Sequence, residues 1–124
     1  MIYIAGPITD VHPDLAKAKF QSIEDDLHKL DLKVINPLKL GIPYSWSHAE
    51  QMKECKRVIT KDATAIYFMR GWQNSKGCRE EFEHVHELNQ LPTRRILVYM
   101  EDDHALSSVR RDIRNNELTC LIDE

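Results

Sequence analysis

Apolar residues along the chain fall into short runs separated by longer stretches of mixed character. Ile2 to Ala5 is an apolar run closed by Gly6-Pro7, which predicts a buried strand entering a loop. Between Pro13 and Leu30 the apolar positions Ala16, Phe20, Ile23, Leu27 and Leu30 recur at steps of four and three, one stripe of a helix. Asp10 or His12 precedes it, and Pro13-Asp14 suits its first turn. Leu32 to Ile35 predicts a second strand, stopped by Asn36-Pro37. Residues 38–47 contain Gly41 and Pro43 and predict a loop. Ser47 suits the cap of a helix over roughly 48–60, with Met52, Cys55 and Ile59 turned inward. A third strand is expected over Ala65 to Met69. Ser75 is a good cap for a helix reaching about Leu88. Arg95 to Met100 predicts a fourth strand, residues 105–115 a helix, and Leu118 to Ile122 a short last strand.

Strands alternating with helices predict an α/β fold, a parallel sheet covered on both faces. About five strands and four helices fit one small doubly wound domain over residues 1–124. Such sheets bind ligands beyond the carboxyl ends of their strands. Three segments lie there: Gly6 to Asp10, Asn36 to Trp46, and Gly71 to Gly77.

Composition narrows the function classes. Lys+Arg number 17 against 20 Asp+Glu, a net charge of −3, which argues against nucleic-acid and polybasic membrane binding. With 42% hydrophobic and 30% charged residues the chain is globular, not disordered. Three cysteines without a CxxC pair disfavour a disulfide framework or a zinc knuckle and suit a reducing cytoplasm. No apolar stretch is long enough to span a membrane, and the N-terminus reads as a strand and turn, not as a leader. The pairs Glu81-x-x-His84 and Glu83-x-x-His86 lack the matching partner motif of a carboxylate-bridged metal site, so no metal is expected. Neither GxGxxG nor a P-loop occurs, so no dinucleotide cofactor is expected.

Ser75-Lys76-Gly77-Cys78-Arg79-Glu80-Glu81 carries the most chemistry. Backbone N–H groups at a helix start, joined by the Ser75 hydroxyl, suit an anion, and Gly77 lets a ligand approach. Taking about 100° per residue with Cys78 as origin, Phe82 falls at about +40°, Val85 at about −20°, Leu88 at about −80° and Glu81 at about −60°. Glu81 therefore lies inside the apolar arc, whereas Glu80, Glu83 and Glu87 face solvent. A carboxyl aimed into the protein there has a raised pKa or is held by a hydroxyl, and Tyr3 in the first strand is a candidate partner. A buried structural glutamate and ordinary strand packing of Tyr3 are the alternatives.

The same residues carry a resemblance. Ile2-Tyr3-Ile4-Ala5-Gly6-Pro7-Ile8, Val34-Ile35-Asn36-Pro37, Asp62-Ala63-Thr64-Ala65-Ile66-Tyr67 and Gly71-Trp72-Gln73-Asn74-Ser75-Lys76-Gly77-Cys78, with Glu81 four beyond Gly77, occur in order over about residues 1–100. Together they resemble the nucleoside 2-deoxyribosyltransferase-like superfamily, which includes the nucleoside 5′-monophosphate N-glycosidases. The resemblance implies a flavodoxin-like, Rossmann-like fold, Glu81 as nucleophile and Tyr3 as the hydroxyl that holds it. Ser75 stands where monophosphate glycosidases have a serine and deoxyribosyltransferases an acid, which favours a phosphorylated substrate. Gly6, Pro7, Ile8, Ser75 and Gly77 would hold sugar and phosphate, Trp46 or Trp72 would stack on the base, and Asn36, Asp62 and Gly71 complete the expected set. The acid that assists the leaving base falls on Lys56, or on Cys55 with a one-residue slip; Glu54 and Asp62 are the alternatives. Residue 64, often aspartate in small relatives, is Thr64.

The expectation is a cytoplasmic nucleotide N-glycosidase or deoxyribosyltransferase-like enzyme, without cofactor, acting on a small nucleotide or nucleoside as a homodimer or higher homo-oligomer. The second expectation is a non-catalytic nucleotide-binding sensor or sequestering module, and the third a structural or partner-binding domain.

Overall fold

A computed structural model describes residues 1–118. The elements run β1 (Ile2–Ala5), α1 (Pro13–His28), β2 (Val34–Ile35), α2 (His48–Asp62), β3 (Ala65–Phe68), α3 (Lys76–Asn89), β4 (Leu97–Met100) and α4 (Ala105–Arg114). The strands form one sheet in the order β2-β1-β3-β4. Each pair is parallel, with Tyr3 beside Ile35 and Ile66, and Phe68 beside Ala5 and Met100. This is an α/β fold consistent with a Rossmann-like sheet. The described residues hold four strands, not about five, and the expected last strand falls mostly on residues 119–122, outside the described residues. Leu118 is buried but belongs to no strand.

Alternation along β1 divides the core. Ile2 and Ile4 pack with Phe20, Ile23 and Leu27 of α1 and Val109 of α4. Tyr3 and Ala5 face the other way, onto Cys55, Val58 and Ile59 of α2 and Cys78 and Val85 of α3. Both faces are thus covered, which is why strands β1 and β3 are apolar at every position.

Local chemistry sets the helix ends. His12, not Asp10, caps α1: its Nδ1 accepts from Asp14 N–H at 3.2 Å, with Pro13 next in the chain. The helix stops at His28, two residues before the apolar stripe does, because Asp31 turns left-handed (φ 61°). Leu32 N–H then reaches back to the Leu27 carbonyl at 3.4 Å, and both leucines enter the core. Ser47 and Glu50 form a reciprocal capping box on α2, and Ser75 Oγ accepts from Cys78 N–H at 3.3 Å to start α3. The strands are shorter than their apolar runs: β2 is Val34–Ile35 and β4 is Leu97–Met100, although Leu32 and Ile96 remain buried. Among the described residues no helix is long and apolar enough to cross a membrane.

Candidate functional site

A cavity of about 400 Å³ opens beyond the carboxyl end of β1. Tyr3 of β1 lines it, and Gly6, Ile8 and Thr9 of the β1–α1 loop form one wall. A second wall is apolar: Pro37, Leu38, Ile42, Pro43 and Tyr44, from the segment after β2. His48, Gln51, Met52 and Cys55 present one face of α2, at helical spacing. Ser75, Gly77, Cys78 and Glu81 do the same from α3. A Cβ on Gly6 would stand 2.3 Å from Met69 Sδ and 3.1 Å from Met69 Cβ, so a larger residue there would have to displace the Met69 side chain.

Glu81 is the buried charge of this site, 6% exposed. Burial raises its pKa to about 7; the Tyr3 hydroxyl pulls the other way, the Glu80 carboxylate adds to the rise, and the Lys56 ammonium opposes it. In neutral solution the carboxyl is therefore divided between its two forms. Tyr3 Oη is fully buried and makes no hydrogen bond of good geometry. Burial, then the charge of Glu81, pushes the Tyr3 phenol well above its usual range, so it keeps its proton as a donor. The phenol and the carboxyl are thus close enough for each to bias the other's ionisation. The two thiols beside them are raised as well, Cys55 by burial and Cys78 by burial to about 11. Burial outweighs the helix start at Cys78, and neither sulfur is a thiolate nucleophile in neutral solution.

An orphaned buried hydroxyl costs stability unless something else uses it. Tyr3→Phe is therefore expected to hold or raise the unfolding free energy, by up to about 1 kcal/mol, when measured with denaturant near pH 5, where Glu81 is protonated. A loss of more than that would show that the hydroxyl is already satisfied in the folded protein.

The structure brings Tyr3, Gly6, Ile8, Ser75, Gly77 and Glu81 together at one cavity. The remaining expected residues stand elsewhere. Pro7 turns to the opposite side of its loop and lines a separate cleft of about 340 Å³ with Val11, Lys19, Met69 and Arg70. Gly71 adopts φ 88°, a turn that starts the 3-10 segment Trp72–Asn74, and does not line the cavity. Asn36 is buried, and its Oδ1 accepts from Leu38 N–H at 3.0 Å. It also bonds Glu24, which Lys39 holds at 2.7 Å, so it shapes the cavity wall and does not line it. Asp62 ends α2 at the amino ends of β1 and β3, away from the cavity, where its carbonyl takes the N-terminal ammonium at 3.2 Å. Trp72 stacks on Phe82 with ring centroids 5.0 Å apart and lies against Phe68 at 4.9 Å, an anchor for the β3–α3 loop. Trp46 is exposed and offers its carbonyl to Gln51 at 3.0 Å. The exposed aromatic residue that lines the cavity is Tyr44, 99% exposed.

His48, Gln51 and Tyr44 were not singled out from the sequence. The first two share a helical face with Cys55, and the Ser47 cap already located the start of that helix. Their direction followed only from how α2 packs. Of the positions considered for a leaving-group acid, only Cys55 reaches the cavity. Glu54 is paired with Arg57 at 2.6 Å, and Lys56 acts on Glu81 only at a distance. His84 Nε2 is engaged by Thr60 Oγ1 at 2.7 Å. Among the described residues, the ligand atoms close enough to share an ion belong to Glu24, Asp25 and His28, none of which lines the cavity.

The family model for a domain of unknown function, DUF4406, matches residues 1–91. The chain belongs to the DUF4406 family. The matched stretch runs from β1 through α3 and includes every residue that lines the cavity, while β4 and α4 lie beyond it. No curated protein and no solved structure matches the chain.

Proposed function

We propose that this DUF4406 protein cleaves the N-glycosidic bond of a nucleoside or deoxynucleoside 5′-monophosphate, with Glu81 as nucleophile, on a flavodoxin-like version of its α/β fold. One observation carries the proposal: a buried carboxyl, raised to about 7, lines a cavity at the strand ends beside an unpartnered tyrosine hydroxyl. The resemblance to the nucleoside 2-deoxyribosyltransferase-like superfamily assigns the same two residues these roles.

A carboxylate oxygen of Glu81 bonds to the anomeric carbon as the bond from that carbon to the base nitrogen breaks. The bonding pair leaves with the base, which takes a proton. Water then attacks the anomeric carbon, the glycosyl ester breaks, its electron pair returns to Glu81, and the water gives up a proton. An acceptor base in place of water makes the reaction a transfer. The Tyr3 hydroxyl holds the attacking carboxylate, and the Ser75 hydroxyl with the start of α3 receives the phosphate. The departing base meets no carboxylic acid other than Glu81 among the described cavity residues, so bases that leave readily are favoured. The same feature favours the second reading, a nucleotide-binding module that does not turn over. As in the resembling enzymes, the working form would be a homodimer or larger.

Chromatography for free base after incubation with a panel of ribo- and deoxyribonucleoside monophosphates decides between the two. Release by wild type and not by Glu81→Ala supports the enzyme. Thermal stabilisation by a monophosphate without release from any member supports the binding module. Neither effect would sink both. Ser75→Ala is expected to weaken monophosphate binding about tenfold or more, the loss of one hydrogen bond to a charged group. An unchanged affinity would remove the phosphate assignment.

A further inference from the structure

His48 opens α2 and lines the cavity at the start of α3. Its Nε2 lies 2.9 Å from Glu80 Oε2. Its Cε1 is 3.9 Å from the point where a Cβ on Gly77 would stand, and Ser75 Oγ is 4.0 Å from the same point. The imidazole and the Ser75 hydroxyl therefore flank bare backbone in the first turn of a 14-residue helix. Within that turn Cys78 N–H is taken by Ser75 Oγ and Arg79 N–H by the Ser75 carbonyl. The N–H groups of Lys76 and Gly77 have no acceptor among the described residues. The buried, unpartnered Tyr3 hydroxyl lines the same cavity.

Glu80 is the difficulty for an anion at this place, since its carboxylate would repel a phosphate. His48 answers it. With protons on both ring nitrogens, Nε2–H donates to Glu80 and cancels its charge, and Nδ1–H is left to donate to a phosphate oxygen. Lys76 is exposed and does not line the cavity. The imidazole is thus the one side chain among the described cavity residues able to carry a positive charge.

We propose that His48, anchored by Glu80, forms the cationic wall of a phosphate subsite at the start of α3 and so selects 5′-phosphorylated nucleosides over unphosphorylated ones. The proposal rests on the nucleotide reading above and adds a specificity residue to it. A neutral nucleoside gains nothing from this wall, whereas a monophosphate, carrying roughly −1.5 to −2 charges, gains a charge-assisted bond and relief from Glu80.

Calorimetry tests it with a panel of nucleosides and their 5′-monophosphates at about pH 6. His48→Gln is expected to weaken monophosphate binding about tenfold, some 1.4 kcal/mol, and to leave nucleoside affinity within about twofold. Adding Glu80→Gln to that variant removes the uncompensated carboxylate, and part of the lost affinity should return. Equal losses for both ligand classes, no loss, or no recovery in the double variant would overturn the proposal. Wild type that binds nucleosides but gains nothing from the phosphate would overturn it while sparing the nucleoside reading. Wild type that binds neither class would remove the nucleotide reading and this proposal with it.

Discussion

On the proposed mechanism, replacing Glu81 with glutamine should lower base release at least about a thousandfold, because the amide cannot form the glycosyl ester and leaves only binding to assist the reaction. The shape of the wild-type pH profile should identify the same group independently. Only the carboxylate attacks, and burial holds the Glu81 carboxyl at about 7. The kcat/KM for base release should therefore rise with pH through about 7 and flatten above it, since this parameter reports the free enzyme. An unshifted carboxylate would give a profile already flat above about pH 5. A rate that is flat from pH 5 to 9, or a Glu81→Gln protein that keeps its activity, would exclude Glu81 as nucleophile.

The same substitution should make the protein more stable in alkaline solution, and the sign follows from linkage. The unfolded chain holds Glu81 near 4.5, the folded protein near 7. Below about 4.5 both states keep the proton, and the carboxyl costs no differential energy. As pH rises from there through about 7 the folded state retains a proton that the unfolded state has lost, so stability falls with pH. Above that range the full cost of burying the charge is present, roughly 3 kcal/mol for a rise of about two and a half pH units. Glu81→Gln carries no such cost. The two proteins should be nearly equal near pH 4.5 and differ by up to about 3 kcal/mol in favour of the variant near pH 8. Denaturant unfolding across that range measures it, and the difference between the two proteins removes the background from every other titrating group. A difference that stays constant with pH would mean that Glu81 is solvated in the folded state. This result needs no substrate, so it separates the physical state of the carboxyl from the chemistry assigned to it. Gain of stability on loss of activity is the pattern expected where a site holds an unfavourable group for function.

Much of this protein was already legible in its residue pattern, because local rules act over a few residues. The four-three spacing from Ala16 to Leu27 makes a helix whatever surrounds it. The end of that helix was overrun by two residues because Leu30 continues the stripe, while the left-handed turn at Asp31 and the short return bond from Leu32 to Leu27 leave no mark on the apolar period. Four short β runs were readable because each is an unbroken apolar run, although only the central β1 and β3 are buried at every position. Glu81 was legible for a related reason: a carboxylate inside the apolar arc of a helix is an exception that the helical angle exposes.

The loops were another matter. Pro7, Asn36, Gly71 and Trp72 lie in the right segments, yet Pro7 lines a second cleft, Asn36 makes a capping bond, the Gly71 backbone makes a left-handed turn and Trp72 joins an aromatic stack. Asp62 sits at the far end of its helix, and Trp46 gave its place to Tyr44. Loop residues have no period, so spacing cannot say which of two neighbours points inward. His48 and Gln51 were hidden for a subtler reason, since a helix of known start still has to be rotated against its neighbours before its face is known. By itself, then, the sequence determined the order of elements, their periodic faces and the one carboxyl out of keeping with its surroundings. The packing of α2 against α3 over the end of β1 decided which side chains share the cavity, because that choice depends on contacts between residues tens of positions apart, which no local pattern encodes.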